Sequence, residues 1–190
     1  MAIFDMHKPV ICQLHGHCLA GGTDVAFLCD IVIAAEDSII GQPVTRDFGV
    51  APNQMWLYLM GPQWTKRLLL TGDSISGSDA AKVGLVLKAV PSEQLESECE
   101  NLADRMSLID HHLLSANKRA VNLGMELMGA RTLQRLACEM DGRGHLAPAV
   151  SGWMSDLRNL GPSKAFRRRN ERFGYDVVNV EGPDAGKARM

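Results

Sequence analysis

A glycine-rich turn near the start of the chain is the feature best suited to chemistry. Gly21 and Gly22 stand between a strand-like run at 9–14 and an apolar segment at 25–29 that is typical of a short buried helix. A strand that turns directly into a helix leaves backbone N–H groups at the positive end of the helix dipole. Because glycine has no side chain, a ligand oxygen can approach this backbone closely. The turn is therefore a candidate site for holding a carbonyl oxygen that becomes negative during a reaction.

Two aspartates in the first third of the chain are candidates for proton transfer. Asp24 lies three residues after Gly21, where it is either an acid–base group or a first-turn acid that balances the helix dipole. Asp47 follows Arg46 in a segment that contains two prolines and two glycines. These two residues form either a solvated turn pair or part of a site, in which Arg46 would orient a carboxylate or a substrate anion.

The composition predicts one domain and excludes several classes of partner. The 190 residues carry a net charge of −2, which argues against nucleic acid as the main partner. No apolar run approaches the roughly 18 residues of a membrane helix, and the N-terminus lacks the layout of a signal peptide. The five cysteines form no CxxC pair and no histidine pair has metal-ligand spacing. We therefore expect reduced thiols, no metal site, no membrane association and a cytoplasmic protein.

Hydrophobic patterning predicts strands mainly in the first third of the chain and helices in the rest. Strands are expected at 10–14, 31–35 and 85–90, with a buried helix between the first two and a structured loop at 39–52. Helices are predicted at 56–60, 63–70, 80–83, 92–108, 110–127, 131–141, 145–158 and 162–173. A loose tail is predicted after them. Because so few strands make a marginal sheet alone, the pattern favours the C-terminal part of a larger α/β unit or a chain completed by oligomerisation.

The order of short motifs along the chain resembles the crotonase superfamily of enoyl-CoA hydratases and isomerases. The motifs are His7–Gly16, Leu19–Asp24, Cys29–Ala34, Gly41–Pro43, Gly49–Pro52, Leu69–Ser76 and Ala80–Val86. Each one is weak by itself, whereas their succession over residues 8–173 is specific. A typical family member is well past its start where this chain begins, so we expect the chain to be N-terminally short.

The resemblance implies an α/β fold in which repeated ββα turns form a crotonase-like spiral. Residues 1–91 would form the C-terminal part of that spiral core and carry the oxyanion turn. Residues 92–174 would form a helical region that mediates assembly into a homotrimer or hexamer, and residues 175–190 the loose tail.

The resemblance also implies a substrate class and a mechanism. The substrate would be an acyl-CoA thioester, with no cofactor besides the CoA it carries, and the N–H of Gly21 would hold the oxygen of an enolate-like anion. Asp24 occupies the position of one of the two glutamates that work together in the hydratases. The position of the other is Val44, which cannot transfer a proton, and Asp47 is the candidate substitute.

Further residues are implied to bind the substrate. Phe166 and Arg169 in the last predicted helix would contact CoA, and Leu19 and Ala20 would border it beside the turn. Arginine suits phosphate because its guanidinium is a planar fork of donors, although a solvated basic helix face is an equal alternative. The segment 56–58 is interpreted as part of an acyl pocket rather than as core packing.

Three functional hypotheses follow. The leading hypothesis is an acyl-CoA enzyme of the enoyl-CoA hydratase/isomerase type. The alternative, motivated by Val44 and the late start, is a degenerate crotonase-fold protein that binds acyl-CoA or oligomerises without catalysis. A third and weaker hypothesis is an α/β hydrolase or a protease with the related spiral fold. No serine lies in a Gly-x-Ser-x-Gly elbow, which counts against the hydrolase.

Overall fold

In the computed structural model, which describes residues 1–173 and 177–184, two sheets of three short strands organise the first half of the chain. The first sheet has the order β1 (Ile11–Leu14), β3 (Ile31–Ala35) and β6 (Lys88–Val90), all parallel. The second has the order β2 (His17–Leu19), β4 (Ile39–Gly41) and β5 (Ser74–Ser76), with β2 and β4 parallel and β5 antiparallel to β4. Strands β1 to β4 alternate between the two sheets, as expected for wound ββα turns, whereas β5 pairs with β4 in the second sheet and β6 returns to the first.

Helices separate and follow these strands. They are α1 (Ala2–Asp5), α2 (Gly21–Ala26), α3 (Met55–Thr71), α4 (Gly77–Lys82), α5 (Leu95–Ser107), α6 (His111–Leu127), α7 (Ala130–Gly144), α8 (Pro148–Leu160) and α9 (Pro162–Glu171). Short 3₁₀ turns occur at Pro43–Arg46 and Ser92–Gln94. The predicted break before Pro62 is confirmed, because Gly61 interrupts α3 with a φ of 73°. Within the described residues, no helix is long and apolar enough to span a membrane.

Three strands were not predicted from the sequence. β2 lies in the segment interpreted as a glycine-rich turn, β4 lies in the predicted loop at 39–52, and β5 follows the end of α3. Each has only three residues, which is too short to show a two-residue hydrophobic period. They are recognised only through their pairing with one another.

The core contains an aromatic pair that contradicts one expectation. Trp56 is completely buried and meets the ring of Phe27 edge to face, with centroids 4.9 Å apart. The prediction that Trp56 lines an acyl pocket is therefore wrong. The side chain instead fixes the start of α3 against the end of α2.

The described part of the tail packs on the second sheet. Val178 is buried, and its N–H donates to the carbonyl oxygen of Ser74 at 2.9 Å. Asp184 forms an ion pair with Arg67 at 2.7 Å. The expectation of a loose tail is wrong for residues 177–184, because these contacts offset the entropy of ordering the segment. Residues 175–176 and 185–190 lie outside the described residues.

Candidate functional site

The glycine-rich turn has a strained backbone that hydrogen bonds hold in place. Ala20 has φ 52° and ψ −121°, a conformation that costs a non-glycine residue about 1–3 kcal/mol. Its N–H donates to the carbonyl of Gly41 at 3.0 Å, and its own carbonyl accepts from the N–H and Oγ1 of Thr23 at 2.9 and 2.7 Å. Gly21 follows as the first, exposed residue of α2, where no carbonyl within the helix can accept its N–H. This N–H is thus placed to bind a ligand oxygen.

A buried glutamine holds the turn in place through a hydrogen bond. Gln42 is 1% exposed, and its Oε1 accepts a hydrogen bond from Oγ1 of Thr23 at 3.2 Å. Its backbone carbonyl accepts from both the N–H and the hydroxyl of Thr45. Gln42 therefore links the end of β4 to the turn, which gives the Gly-Gln-Pro motif a positioning role that the sequence did not reveal.

Asp24 lies in the first turn of α2 with part of its carboxylate buried. Its Oδ1 is inaccessible to solvent and has no hydrogen-bond partner in the described part of the chain. Burial raises the pKa of Asp24, the backbone of Asn53 offsets part of that rise, and the Asp141 carboxylate adds to it. The protonated form of Asp24 is therefore favoured relative to that of a fully solvated aspartic acid.

Asn53 fixes the position of Asp24. Its Nδ2 donates to the backbone carbonyl of Asp24 at 2.9 Å, and its Oδ1 accepts from the N–H of Met55 at 3.0 Å. The side chain is 4% exposed. α2 and the start of α3 are thereby joined through one amide group, a role that no local sequence pattern predicts.

Asp47 lies in a different environment from Asp24. Its Oδ1 is 3.5 Å from Nη1 of Arg169, and both side chains are less than a tenth exposed. Burial raises the pKa of Asp47, while Arg169, Arg172 and Arg46 act to lower it. The structure thus brings Asp47 together with Arg169, the predicted CoA ligand.

The side chain of Arg46 is buried and connects several parts of the fold. Its Nη2 lies 2.7 Å from Oδ1 of Asp73, its Nε donates to the carbonyl of Thr71, and its guanidinium stacks on Phe173 at 3.8 Å. The interpretation of Arg46 as half of a solvated turn pair with Asp47 is wrong, because its guanidinium is buried against Asp73. Asp73 lies 27 residues away, so the sequence could not show the pairing.

Two clefts meet at the 3₁₀ turn Pro43–Arg46. The first, here called the basic cleft, has a volume of about 560 Å³. Val44 lines it together with the four predicted CoA-binding residues, which are Leu19, Ala20, Phe166 and Arg169. The second, the apolar cleft, has a volume of about 420 Å³ and is lined by Thr45, Gly49–Ala51, Leu57, Leu69 and Leu133, among others. Val44 and the adjacent Thr45 thus border different clefts.

Helix α7 closes the apolar side of this region. The N–H of Val50 donates to Oδ1 of Asp141 at 2.8 Å, and the ring of His145 packs edge to face on Phe48 with centroids 4.6 Å apart. Asp141 was not predicted as a site residue. Because 91 residues separate it from Val50, no local pattern could have identified it.

Comparison with known proteins gives one consistent result. A family model described as enoyl-CoA hydratase/isomerase matches residues 1–140. The chain is 37% identical over 126 residues to the crotonyl-CoA hydratase of Syntrophomonas wolfei, and 32% identical over 126 residues to the short-chain-enoyl-CoA hydratase of Clostridium acetobutylicum. Each alignment covers 64% of this chain and 48% of the relative, so the chain spans about half the length of these curated relatives. The crystal structure of an enoyl-CoA hydratase from Mycobacterium smegmatis superposes with a TM-score of 0.88 at 35% identity, covering 92% of this chain and 60% of that one.

Proposed function

Because the chain belongs to the enoyl-CoA hydratase/isomerase family and has the crotonase fold, we propose that it hydrates the double bond of an enoyl-CoA thioester. The observation that carries the proposal is the strained turn at Ala20, which presents the N–H of Gly21 beside the partly buried carboxylate of Asp24. Hydration converts the thioester carbonyl into an enolate, whose oxygen needs a donor already aimed at it. The named relatives are hydratases, which supports this reaction over isomerisation.

The two clefts support a placement of the substrate. We place the CoA portion in the basic cleft, beside Leu19 and Ala20, and the acyl chain in the apolar cleft. The thioester would then lie between them, at the turn that carries Gly21. Arg169 is buried against Asp47 and forms part of the cleft wall, so the phosphates are assigned to exposed arginines of the same helix, Arg167 and Arg168.

Asp24 is the proposed proton donor of this site. Its raised pKa keeps a larger fraction of the carboxyl protonated than at its ordinary value. Val44 borders the basic cleft without a group that can transfer a proton. Hydration also needs a group that deprotonates or orients water, so one carboxyl is not sufficient for the whole reaction.

The proposed role of the turn predicts a loss of activity in Gly21→Pro. Proline is tolerated at the first position of a helix but has no N–H, so the donor is lost, and it also restricts the backbone of the preceding Ala20. We expect kcat on the best substrate of an enoyl-CoA panel to fall about a hundredfold or more, with little change in KM. Steady-state kinetics of the purified chain measures this, and circular dichroism checks the fold.

Gly22→Ala is the matched control in the same turn. It keeps every N–H, and its methyl group would meet Sγ of Cys18 at an ordinary 3.6 Å. Equal rates for Gly21→Pro and the wild type would contradict the oxyanion role. Binding of CoA thioesters with no turnover of any enoyl-CoA would favour the non-catalytic alternative.

We also propose that the C-terminal helices mediate assembly into a homotrimer or hexamer. Large apolar side chains on α6 and α7 are exposed in one chain, among them Val121 (66%), Leu127 (82%) and Leu136 (43%). Such a surface is unusual for a monomer and typical of an interface. Light scattering should report a trimer or larger, and Leu127→Glu should dissociate it. Leu87→Glu, at a 60% exposed position outside these helices, should leave the mass of the assembly unchanged. A monomeric wild type would refute the proposal.

A further inference from the structure

Helix α7 presents three side chains in succession to the loop at 48–53. Sγ of Cys138 contacts the carbonyl of Pro52 at 3.9 Å, Oδ1 of Asp141 accepts from the N–H of Val50, and His145 packs on Phe48. Cys138 and Asp141 share one face of α7, and His145, which directly follows the helix, continues that face at helical spacing. The loop therefore holds the Asp141 carboxylate at a fixed place.

The C-terminal end of the same loop contacts Asp24. Asn53 lies three residues after Val50 and donates to the backbone carbonyl of Asp24 at 2.9 Å. Oδ1 of Asp24 is buried and has no hydrogen-bond partner among the described residues. A buried carboxylate oxygen without a partner is costly unless it is protonated or bound to a ligand.

We propose that Asp141 is the second carboxylate of the hydration site and that it works with Asp24 as a pair that carries one proton. This inference rests on the proposed hydration, because it supplies the group that Val44 cannot provide. The assignment follows from the contacts of Val50 and Asn53, which bring α7 and α2 to the same short loop.

The two carboxyls together hold one proton before and after each turnover, so the reaction balances. Ionised Asp141 accepts a proton from water as the water oxygen bonds to the β-carbon. The π electrons of the double bond move to the thioester, and the resulting enolate oxygen is held by Gly21. Protonated Asp24 then gives its proton to the α-carbon as the enolate collapses. Asp24 ends ionised and Asp141 protonated, and proton transfer between the two restores the starting state.

The environments of the two carboxyls agree with these roles. Asp141 accepts a hydrogen bond from the N–H of Val50, which fixes the position of one of its carboxyl oxygens. Burial raises the pKa of Asp24, and the charge on Asp141 raises it further, which favours the protonated form. His145 is the other titratable group that the described contacts place at this junction, with its ring against Phe48.

Asp141→Asn tests the pair, with Glu139→Gln as the matched control. The asparagine keeps an oxygen for the N–H of Val50, and Glu139 is exposed on the same helix. Side-chain ¹³C NMR titration of the full chain should show the pKa of Asp24 falling in Asp141→Asn and unchanged in Glu139→Gln. We expect kcat on the best enoyl-CoA to fall about a hundredfold in Asp141→Asn, with KM nearly unchanged, and to stay at the wild-type value in the control.

The titration and the kinetics separate failure of the pair from failure of the proposed function. An unchanged Asp24 titration in Asp141→Asn would overturn the pair, whatever the rates. A shifted titration with unchanged kcat would overturn the catalytic role of Asp141. A wild type that turns over no enoyl-CoA would contradict the proposed hydration, whereas the titration, which needs no substrate, would still decide whether the two carboxyls share a proton.

Discussion

Asp24→Asn should lower kcat on an enoyl-CoA by about 10²–10⁴-fold while the fold is kept. The amide has nearly the same shape as the carboxyl but cannot donate the proton that the α-carbon requires. Because Asp24 is held through its backbone carbonyl by Asn53, the substitution leaves that anchoring hydrogen bond in place. Steady-state kinetics over pH 5–9 measures the effect. Asp24→Glu, which keeps a carboxyl group but places it one methylene further from the backbone, should retain far more activity than the asparagine variant.

The same substitution should make the protein more stable at neutral pH. The pKa of Asp24 is raised above its ordinary value of 3.8, so the folded state binds this proton more tightly than the unfolded state does. Stability therefore falls as the pH rises from 3.8 through the raised pKa, and an amide removes that loss. The melting temperature of Asp24→Asn should exceed that of the wild type at pH 7, and the difference should vanish as the pH falls towards 3.8.

A loss of both activity and stability would contradict this account of Asp24. That result would mean that the carboxylate is a structural group, such as a first-turn acid that interacts with the dipole of α2. Asp104→Asn, at an exposed position on α5, should change neither quantity. Activity and stability that move in opposite directions are typical of a group held in an unfavourable state for function.

Local signals in the sequence were sufficient to predict most helices and the turn. Gly61 and Pro62 end one helical segment through their own backbone preferences, and Ser76 caps α4 by accepting from the N–H of Asp79, as its spacing predicts. Gly21 was identified because a strand, a glycine pair and an apolar helix follow one another directly. These features depend on residues within a few positions of each other.

The features that were missed depend on distant residues. Asp141 and Val50 are 91 residues apart, and Arg46 and Asp73 are 27 apart, so neither pair produces a local pattern. Trp56 was assigned to a pocket because it follows the loop at 49–52, although an aromatic side chain next to a site is equally suited to the core. Tertiary packing therefore decided between alternatives that the sequence left equivalent.

Asp73→Asn should lower the free energy of unfolding by about 3–5 kcal/mol, because it removes the carboxylate from a buried ion pair. The side chains of Arg46 and Asp73 are 1% and 4% exposed and lie 2.7 Å apart. Arg67, the second partner of Asp73, keeps its contact with Asp184 and is 27% exposed, so the cost falls mainly on Arg46. Urea denaturation followed by fluorescence measures the change.

An exposed ion pair and a double substitution make this prediction specific. Asp156→Asn removes the partner of Arg168, whose side chain is 66% exposed, and should cost less than about 1 kcal/mol. Replacing both Arg46 and Asp73 with Met and Leu should recover much of the lost stability, since no buried charge is then left uncompensated. A loss below about 1 kcal/mol in Asp73→Asn would show that the guanidinium finds other compensation. Because Arg46 ends the 3₁₀ turn where the two clefts meet, the ion pair that stabilises the fold also fixes the wall between the proposed CoA and acyl sites.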